Sequence, residues 1–222
     1  MESRRYQKRI LLVDDHPIVL KGLIDSLKQK PKYYICGTQM KKNCIIQSTS
    51  ELKPDIIILD LMLEDSCTLD LIDELKAMNK PPLILIYSIH ENILYIERAL
   101  KSGADGYIIK NEPVETLYAA LEEIETGKRY IKQDIQDKLL EKYLSRKSDS
   151  RESMIQELSN REYEIFRNIG QGYGMDEIAE TMKLSIKTIH NYRERIKAKL
   201  KIGSARELYQ FAIQWNRNFA DY

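Results

Sequence analysis

The sequence predicts an α/β domain with a five-stranded parallel sheet, followed by a smaller domain made only of helices. Three observations lead to this fold class. Short apolar runs alternate five times with segments of helical period over the first 127 residues. A polar stretch then interrupts the alternation, and helix-period segments with capping signals follow it. Strands that alternate with helices favour a parallel sheet covered by helices on both faces.

The five apolar runs are short and rich in β-branched residues, which is typical of strands buried on both faces. In order they are ILLVDD, YYICGT, PDIIILDL, PLILIYS and GYIIK. The segments of helical period are PIVLKGLIDSLKQK, KKNCIIQSTSELK, TLDLIDELKAMN, NILYIERALKSG and PVETLYAALEEIETG. In the fourth of these, Ile93, Ile96, Glu97 and Leu100 show the spacing of one helix face, and a glycine follows. We therefore expect five βα units in residues 1–127.

The second half has a different organisation. Residues 128–156 contain a short helical segment and a Ser-rich polar stretch, so we expect a linker there. In residues 157–222, Ser159 and Glu162 have capping-box spacing, as do Ser204 and Glu207. The periodicity predicts four helices in this domain, at about residues 160–171, 175–182, 186–200 and 204–217.

Composition excludes several classes of protein. Of 222 residues, 43% are hydrophobic and 31% are charged, which is typical of a soluble globular chain and not of a disordered one. No apolar run reaches 18 residues and the first ten residues lack an apolar core, so we expect a cytoplasmic protein without a membrane contact. The three cysteines have no metal-ligand spacing and are expected to be free thiols.

Polar residues follow four of the five predicted strands. Asp14 and Asp15 follow the first strand, Asp60 follows the third, Ser88 ends the fourth and Lys110 follows the fifth. The carboxyl ends of parallel strands meet at one edge of a sheet, where ligands bind. The sequence therefore predicts one site that contains all five side chains.

The residue types at this edge point to phosphoryl chemistry. Three converging carboxylates repel each other, and a hard divalent cation such as Mg²⁺ relieves that repulsion. A lysine and a hydroxyl group can bind phosphoryl oxygens. Together they predict an aspartate that accepts a phosphoryl group. Taken singly, each aspartate could equally be a strand-end cap or a solvated charge.

Several stretches of the chain resemble one known family. LLVDDHPIVLKGL, PDIIILDL and LIYSIHENILYIERALKSGADGYIIK, together with the helical tail, are similar to NarL/FixJ-type response regulators of bacterial two-component signalling. The resemblance implies a flavodoxin-like (βα)5 receiver domain in which Asp60 is the phospho-acceptor. It also implies that Asp15 binds Mg²⁺ directly, Asp14 through water, and Met62 through its backbone carbonyl.

The resemblance also assigns the residues that respond to phosphorylation. It implies that Ser88 is the switch hydroxyl, Lys110 the lysine that pairs with the phosphoryl group, and Tyr107 the switch aromatic. The loop after Asp60 departs from the family, because many receivers carry a proline and a glycine there. This chain instead has Leu63, Ser66 and Thr68. We expect the altered loop to change the kinetics of phosphorylation.

The helical tail carries a local basic stripe although the net charge of the chain is only +1. Six cations and one anion fall between residues 187 and 201, on a segment whose other face is apolar. Two short helices joined by a tight turn form a helix-turn-helix, whose second helix enters the major groove of DNA. A solvated helix face is the alternative, although its crowded like charges would repel each other.

LSNREYEI, EIA and LSIKTIHNYRERIKAKL resemble the LuxR-type DNA-binding domain in order and spacing. The resemblance implies that the base-facing residues are His190, Asn191 and Glu194. It implies that the candidates for contacts with DNA phosphates are Lys187, Thr188, Arg193, Arg195 and Lys199. The last helix resembles the dimerisation helix of the family.

The resemblance implies a transcription regulator whose binding to double-stranded DNA is controlled by phosphorylation of Asp60. A sensor histidine kinase is the expected phosphoryl donor, a homodimer is the expected active form, and RNA polymerase is a candidate partner. In a second hypothesis the receiver is a docking module that works without phosphorylation. A third, a phosphotransferase or phosphatase of the haloacid dehalogenase type, needs a second acid where Met62 stands. We therefore do not expect an enzyme.

Overall fold

A computed structural model describes residues 7–64, 66–144 and 150–219. The chain forms two compact units that divide between Asp137 and Lys138. Within these ranges, the first unit contains all the strands and the second is helical. Across the three described ranges, every helix is too short or too polar to cross a bilayer.

The first unit is built on a parallel sheet. Its strands are β1 Lys8–Val13, β2 Tyr33–Gln39, β3 Ile56–Leu59, β4 Met62–Leu63, β5 Ser66–Cys67, β6 Leu83–Ser88, β7 Gly106–Ile109 and β8 Tyr130–Ile131. Six of them form the sheet in the order β2-β1-β3-β6-β7-β8, and every neighbouring pair is parallel. The other two, β4 and β5, form a separate antiparallel hairpin directly after Asp60.

The prediction of an α/β parallel sheet is confirmed, but the predicted number of five strands is one too few. The sixth strand, β8, pairs with Gly106 and Tyr107 and satisfies backbone groups at the free edge of β7. Because β8 contains only two residues, it shows no alternation that a sequence pattern could reveal. It lies within residues 128–156, so the sheet extends into the segment predicted as a linker.

Helices cover both faces of the sheet. They are α1 Pro17–Leu27, α2 Ile45–Leu52, α3 Leu69–Lys76, α4 Ile93–Lys101 and α5 Val114–Glu125, and α6 Gln133–Leu144 follows β8. Ile10 and Leu12 on one face of β1 belong to a core that includes residues of α1 and α5. Leu11 and Val13 on its opposite face are buried to the same degree. Because both faces of the strands are buried, their sequences are continuous apolar runs and do not alternate with polar residues.

The second unit contains α7 Ser150–Gln156, α8 Asn160–Gly170, α9 Met175–Thr181, α10 Ile186–Lys199 and α11 Ala205–Phe219. The four helices predicted for residues 157–222 are confirmed within three residues at each end. Ser159 and Glu162 form the predicted capping box at the start of α8. α8 and α11 pack closely, since a Cβ at Gly170 would collide with the carbonyl oxygen of Ala212.

Candidate functional site

The parallel sheet brings the predicted polar residues to one edge. Asp14 directly follows β1, Asp60 follows β3, Ser88 is the last residue of β6 and Lys110 follows β7. β1 and β3 are neighbours in the sheet, as are β3 and β6, and β6 and β7. Adjacent parallel strands end side by side, so the backbone alone places these four residues next to each other.

A lysine pairs with two carboxylates of this site. Lys110 Nζ lies 2.6 Å from Asp60 Oδ2 and 2.7 Å from Asp14 Oδ2. Burial by itself would lower the pKa of Lys110, but the hydrogen bonds and negative charges of both aspartates outweigh burial and raise it. Both aspartates are almost completely buried, so the ammonium group balances charges that solvent does not reach.

Asp60 is buried at the end of a central strand and is 5% exposed. Burial raises the pKa of its carboxyl group, Lys110 counteracts the rise, and the negative charge of Asp14 adds to it. The net pKa lies above the ordinary value of an aspartate. A carboxylate with a raised pKa and one oxygen turned to a cation is suited to attack an electrophilic phosphorus atom.

Asp15 lies beside the same site and is in contact with a backbone amide and an imidazole. Its Oδ2 accepts a hydrogen bond of 2.9 Å from the amide of Glu64, and His16 Nδ1 lies 2.7 Å from its Oδ1. Within the described part of the chain, one group of side chains has possible metal-ligand atoms within 4.8 Å of one another, namely Asp14, Asp15, His16 and Asp60.

The donor atoms of this group fit Mg²⁺. Mg²⁺ prefers oxygen ligands, and three of the four side chains offer carboxylate oxygens. Asp15 Oδ1 is buried and faces His16 Nδ1 at 2.7 Å, in a contact that lacks the geometry of a hydrogen bond. Met62 lies two residues after Asp60 in β4, and the resemblance to the receiver family implies that its carbonyl is a ligand. Three carboxylates that converge in this way can therefore hold a divalent cation.

Ser88 and Tyr107 lie inside the first unit near the same edge. Ser88 is completely buried, and its Oγ accepts a hydrogen bond of 3.3 Å from the amide of His90. The hydroxyl group of Tyr107 donates a hydrogen bond of 2.8 Å to the carbonyl oxygen of His90. Burial raises the pKa of Tyr107 far above its ordinary value. The residues predicted as switch hydroxyl and switch aromatic thus contact one loop, which follows β6.

Sequence reasoning missed a hydroxyl group that holds the backbone of Asp60. Thr68 is completely buried, and its Oγ1 donates hydrogen bonds to the carbonyl oxygens of Asp60, at 2.8 Å, and Leu61, at 3.1 Å. The signal was present, since threonine stands in a loop where many members of the family carry glycine. Its role could not be read from the sequence, because it depends on how β4 and β5 fold back toward Asp60.

A second missed residue lies on a different loop. Lys42 Nζ donates a hydrogen bond to the carbonyl oxygen of Cys67 and lies 2.7 Å from Asp70 Oδ1. The lysine begins a single 3₁₀ turn, Lys42–Cys44, that precedes α2. No local pattern marks this residue, because its partners lie 25 and 28 positions further along the chain.

In the second unit, the predicted DNA-contacting residues lie on α10. Lys187, Asn191, Glu194 and Arg195 are exposed, while Ile189 and Ile196 on the opposite side are completely buried. The remaining predicted residues are half-buried, namely Thr188, His190, Arg193 and Lys199. The helix therefore has one face in the core and one face turned to solvent, as a recognition helix requires.

Two acidic residues neutralise part of the basic stripe. Glu194 lies 3.2 Å from Arg193 and 2.8 Å from Lys197, and the hydrogen bond from Lys197 is the main reason that its pKa is lowered. Lys199 lies 2.6 Å from Glu162 Oε2 and also donates to the carbonyl oxygen of Glu157. Lys199 is thus engaged with α8, whereas the resemblance to the LuxR-type domain makes it a candidate for a contact with DNA phosphates.

Family models match both units of the chain. The model of the response regulator receiver domain matches residues 10–122. The model of the bacterial regulatory proteins of the luxR family matches residues 156–212. The first match contains every residue of the acidic site, and the second contains every predicted DNA contact.

Similar proteins align with nearly the whole chain. Oxygen regulatory protein NreC of Staphylococcus haemolyticus is 31% identical over 211 residues, which are 93% of this chain and 97% of that protein. The structure of RcsB from Salmonella enterica serovar Typhimurium, bound to promoter rprA with the phosphomimetic BeF3⁻, is 25% identical. It matches with a TM-score of 0.57 over 93% of this chain and 98% of RcsB. A LuxR-family two-component response regulator from Aurantimonas sp. SI85-9A1 is 28% identical, with a TM-score of 0.58 over 62% of this chain and 99% of that one.

Proposed function

The chain belongs to the two-component response regulators that join a receiver domain to a LuxR-type DNA-binding domain, and we propose that phosphorylation of Asp60 controls its binding to DNA. The observation that carries this proposal is the pairing of Lys110 with Asp60 and Asp14 at the carboxyl edge of the sheet. A partly buried lysine in contact with two buried carboxylates places an anion-binding cation beside a potential nucleophile.

In the proposed reaction, Asp60 accepts a phosphoryl group. A carboxylate oxygen of Asp60 forms a bond to phosphorus while the bond from phosphorus to the leaving atom of the donor breaks, and that atom keeps the electron pair. Lys110 turns from the carboxylate to an oxygen of the transferred group and offsets its charge. Ser88, whose hydroxyl group can donate a hydrogen bond, binds a second oxygen.

The acidic group beside Asp60 would hold Mg²⁺. Asp15 and Asp60 would supply carboxylate oxygens, Asp14 would act through water, and Met62 would supply its backbone carbonyl. Bound there, the cation would offset the negative charge of the phosphoryl oxygens. Asp15 is oriented for this role by the amide of Glu64, which donates a hydrogen bond of 2.9 Å to one of its oxygens.

The phosphoryl group adds a charge of about −1.5 to −2 to a site that is already acidic. Ser88 and Lys110 then move toward this charge. Tyr107 and the loop that contains His90 follow Ser88, since Tyr107 and Ser88 both make hydrogen bonds to His90. We propose that this rearrangement favours a homodimer, which presents two α10 helices to a roughly palindromic DNA site.

The partners follow from this proposal. A sensor histidine kinase is the phosphoryl donor, and double-stranded DNA is the target, as it is for RcsB bound to a promoter in the solved complex. RNA polymerase is the candidate partner at the promoter. The protein acts in the bacterial cytoplasm, where DNA and RNA polymerase occur. It accepts a phosphoryl group and loses it by hydrolysis, but it does not turn over a separate substrate.

Acetyl phosphate tests the proposal without the kinase. With Mg²⁺, the wild type should gain about 80 Da, the mass of one phosphoryl group, and Asp60→Asn should gain none. Equal labelling of Asp60→Asn, or no labelling of the wild type, would contradict the proposal. Lack of labelling with retained DNA binding would favour the alternative in which the receiver is only a docking module.

A further inference from the structure

The hairpin β4–β5 delivers two backbone groups to the proposed phosphorylation site. Met62 in β4 carries the carbonyl that would bind the cation, and the amide of Glu64 donates a hydrogen bond to Asp15 Oδ2. Glu64 has a φ of 48°, a conformation that non-glycine residues adopt rarely and only when neighbouring contacts hold it. The position of the hairpin therefore decides how Asp15 and Met62 are oriented.

A hairpin with two-residue strands cannot hold this position by itself. Isolated hairpins are marginally stable in water, and this one has only the pairs Met62–Cys67 and Leu63–Ser66. It is anchored at its carboxyl end by Thr68, whose Oγ1 donates to the carbonyl oxygen of Asp60. A second anchor must fix the strand that carries Cys67 against the rest of the unit.

Lys42 provides this second anchor. Its Nζ donates to the carbonyl oxygen of Cys67 and lies 2.7 Å from Asp70 Oδ1 on the first turn of α3. The side chains of Lys42 and Asp70 are only 17% and 21% exposed. Charge-assisted hydrogen bonds that are partly shielded from water are stronger than exposed ones. Cys67 pairs directly with Met62 in the hairpin. The ammonium group of Lys42 therefore holds the residue that lies opposite the carbonyl proposed to bind the cation.

We propose that Lys42 is a positioning residue for the cation and phosphoryl site: it holds β4 and β5 in place, so that the Met62 carbonyl and the amide of Glu64, which bonds to Asp15, keep their positions at the site. This proposal rests on the proposed function. Lys42 does not contact Asp60 or the cation, and it acts only through the backbone of the hairpin. Without its ammonium group, the hairpin has one anchor fewer, and Mg²⁺ loses part of its prearranged ligand set.

The chain offers a matched control in Lys76. Its Nζ also bridges a backbone carbonyl and an aspartate, 3.0 Å from the oxygen of Pro82 and 2.6 Å from Asp105 Oδ2. The side chains of Lys76 and Asp105 are 23% and 24% exposed, close to the values of the pair formed by Lys42. Pro82 and Asp105 precede β6 and β7, so this bridge lies at the opposite edge of the sheet from the acidic site.

The experiment compares full-length Lys42→Met and Lys76→Met. We expect both variants to lower the urea midpoint of unfolding by similar amounts, because each loses a similar bridge. Only Lys42→Met should weaken Mg²⁺ binding, by about tenfold, as is typical when a group that orients metal ligands is removed. Calorimetric titration with Mg²⁺ measures this affinity without any phosphorylation. The Mg²⁺ concentration that gives half-maximal labelling by acetyl phosphate should shift by the same factor.

Equal Mg²⁺ affinities of the two variants would overturn the positioning role. If Lys42→Met does not fold, Asp70→Asn replaces it, because this change removes the ion pair and keeps the contact with Cys67. Asp70→Asn should weaken Mg²⁺ binding in the same direction but less, and an unchanged affinity would equally overturn the role. Labelling that does not depend on Asp60 would instead overturn the proposed function, so the two failures are distinguishable.

Discussion

Lys110 and Thr68 illustrate how single residues define the phospho-acceptor. Lys110 could be predicted from the sequence, because a lysine that ends a buried apolar run needs an anionic partner and the strand order supplies two. Thr68 could not be predicted in the same way. Thr68 stabilises the site through hydrogen bonds to backbone carbonyls seven and eight residues earlier in the chain. These bonds form only because the hairpin folds back toward Asp60.

Replacing Thr68 with valine should destabilise the first unit, because the buried carbonyl of Asp60 loses its hydrogen bond while the side-chain volume is kept. We expect a loss of about 1–3 kcal/mol in the free energy of unfolding, measured by urea titration. Thr49→Val is the matched control: Thr49 is also buried, but its Oγ1 donates to the carbonyl of Ile45 inside α2, where the helix already supplies a donor. Equal losses for the two variants would show that the bond to Asp60 adds nothing.

At the scale of elements, α8 and α10 are joined by a charge pair that links the start of one helix to the end of the other. Glu162 accepts a hydrogen bond of 2.7 Å from the amide of Ser159 in the capping box and lies 2.6 Å from Lys199 Nζ. The capping box could be predicted from the spacing of Ser159 and Glu162. The ion pair could not, because its members are 37 residues apart.

This pair predicts how acid affects the second unit. Burial by itself would raise the pKa of Glu162, but the hydrogen bond and charge of Lys199 and the amide of Ser159 lower it below its ordinary value. Because the pKa of Glu162 is lower in the folded protein than in the unfolded chain, ionised Glu162 stabilises the fold. This stabilisation is fully present above the pKa of the unfolded chain and disappears as the pH falls through the pKa of the folded protein. The second unit should therefore lose stability as the pH falls below about 4.3, the ordinary pKa of a glutamate.

Trp215 is the single tryptophan of the chain and lies in α11, so its fluorescence follows the unfolding of the second unit. Between neutral pH and pH 4, Glu162→Gln should lose less stability than the wild type. Glu177→Gln is the control, since Glu177 accepts from the amide of Gly174 at the start of α9 and pairs with no lysine in the described part of the chain. The assignment is wrong if Glu162→Gln and Glu177→Gln show the same pH dependence.

For the whole molecule, local patterns were sufficient where elements are long. Alternating strands and helices predicted the sheet, and the sheet placed Asp14, Asp60 and Lys110 at one edge. Patterns failed for β8 and for the hairpin β4–β5, whose two-residue strands are too short to show a period. Local patterns also could not predict the role of Lys42, because a contact between residues far apart in the chain produces no periodicity in the sequence.

The exposed face of α10 predicts distinct effects on DNA binding. Arg195→Ala should weaken binding to all fragments and lower the slope of log affinity against log salt by about 1, because one phosphate contact is lost. Asn191→Ala should relax discrimination at one base pair by about 1–3 kcal/mol. Arg206→Ala removes an exposed positive charge from α11 and should change neither property. Electrophoretic retardation at several salt concentrations separates these outcomes, and unchanged binding of the α10 variants would exclude α10 as the recognition helix.

The central claim is that phosphorylation of Asp60 in the receiver controls DNA binding by the second unit. Genome-wide mapping of bound DNA tests it most directly, with wild type and Asp60→Asn expressed at equal levels under conditions that activate the kinase. We predict a set of promoter sites occupied by the wild type and largely lost in Asp60→Asn. Identical sites with identical occupancy in both strains would contradict the claim.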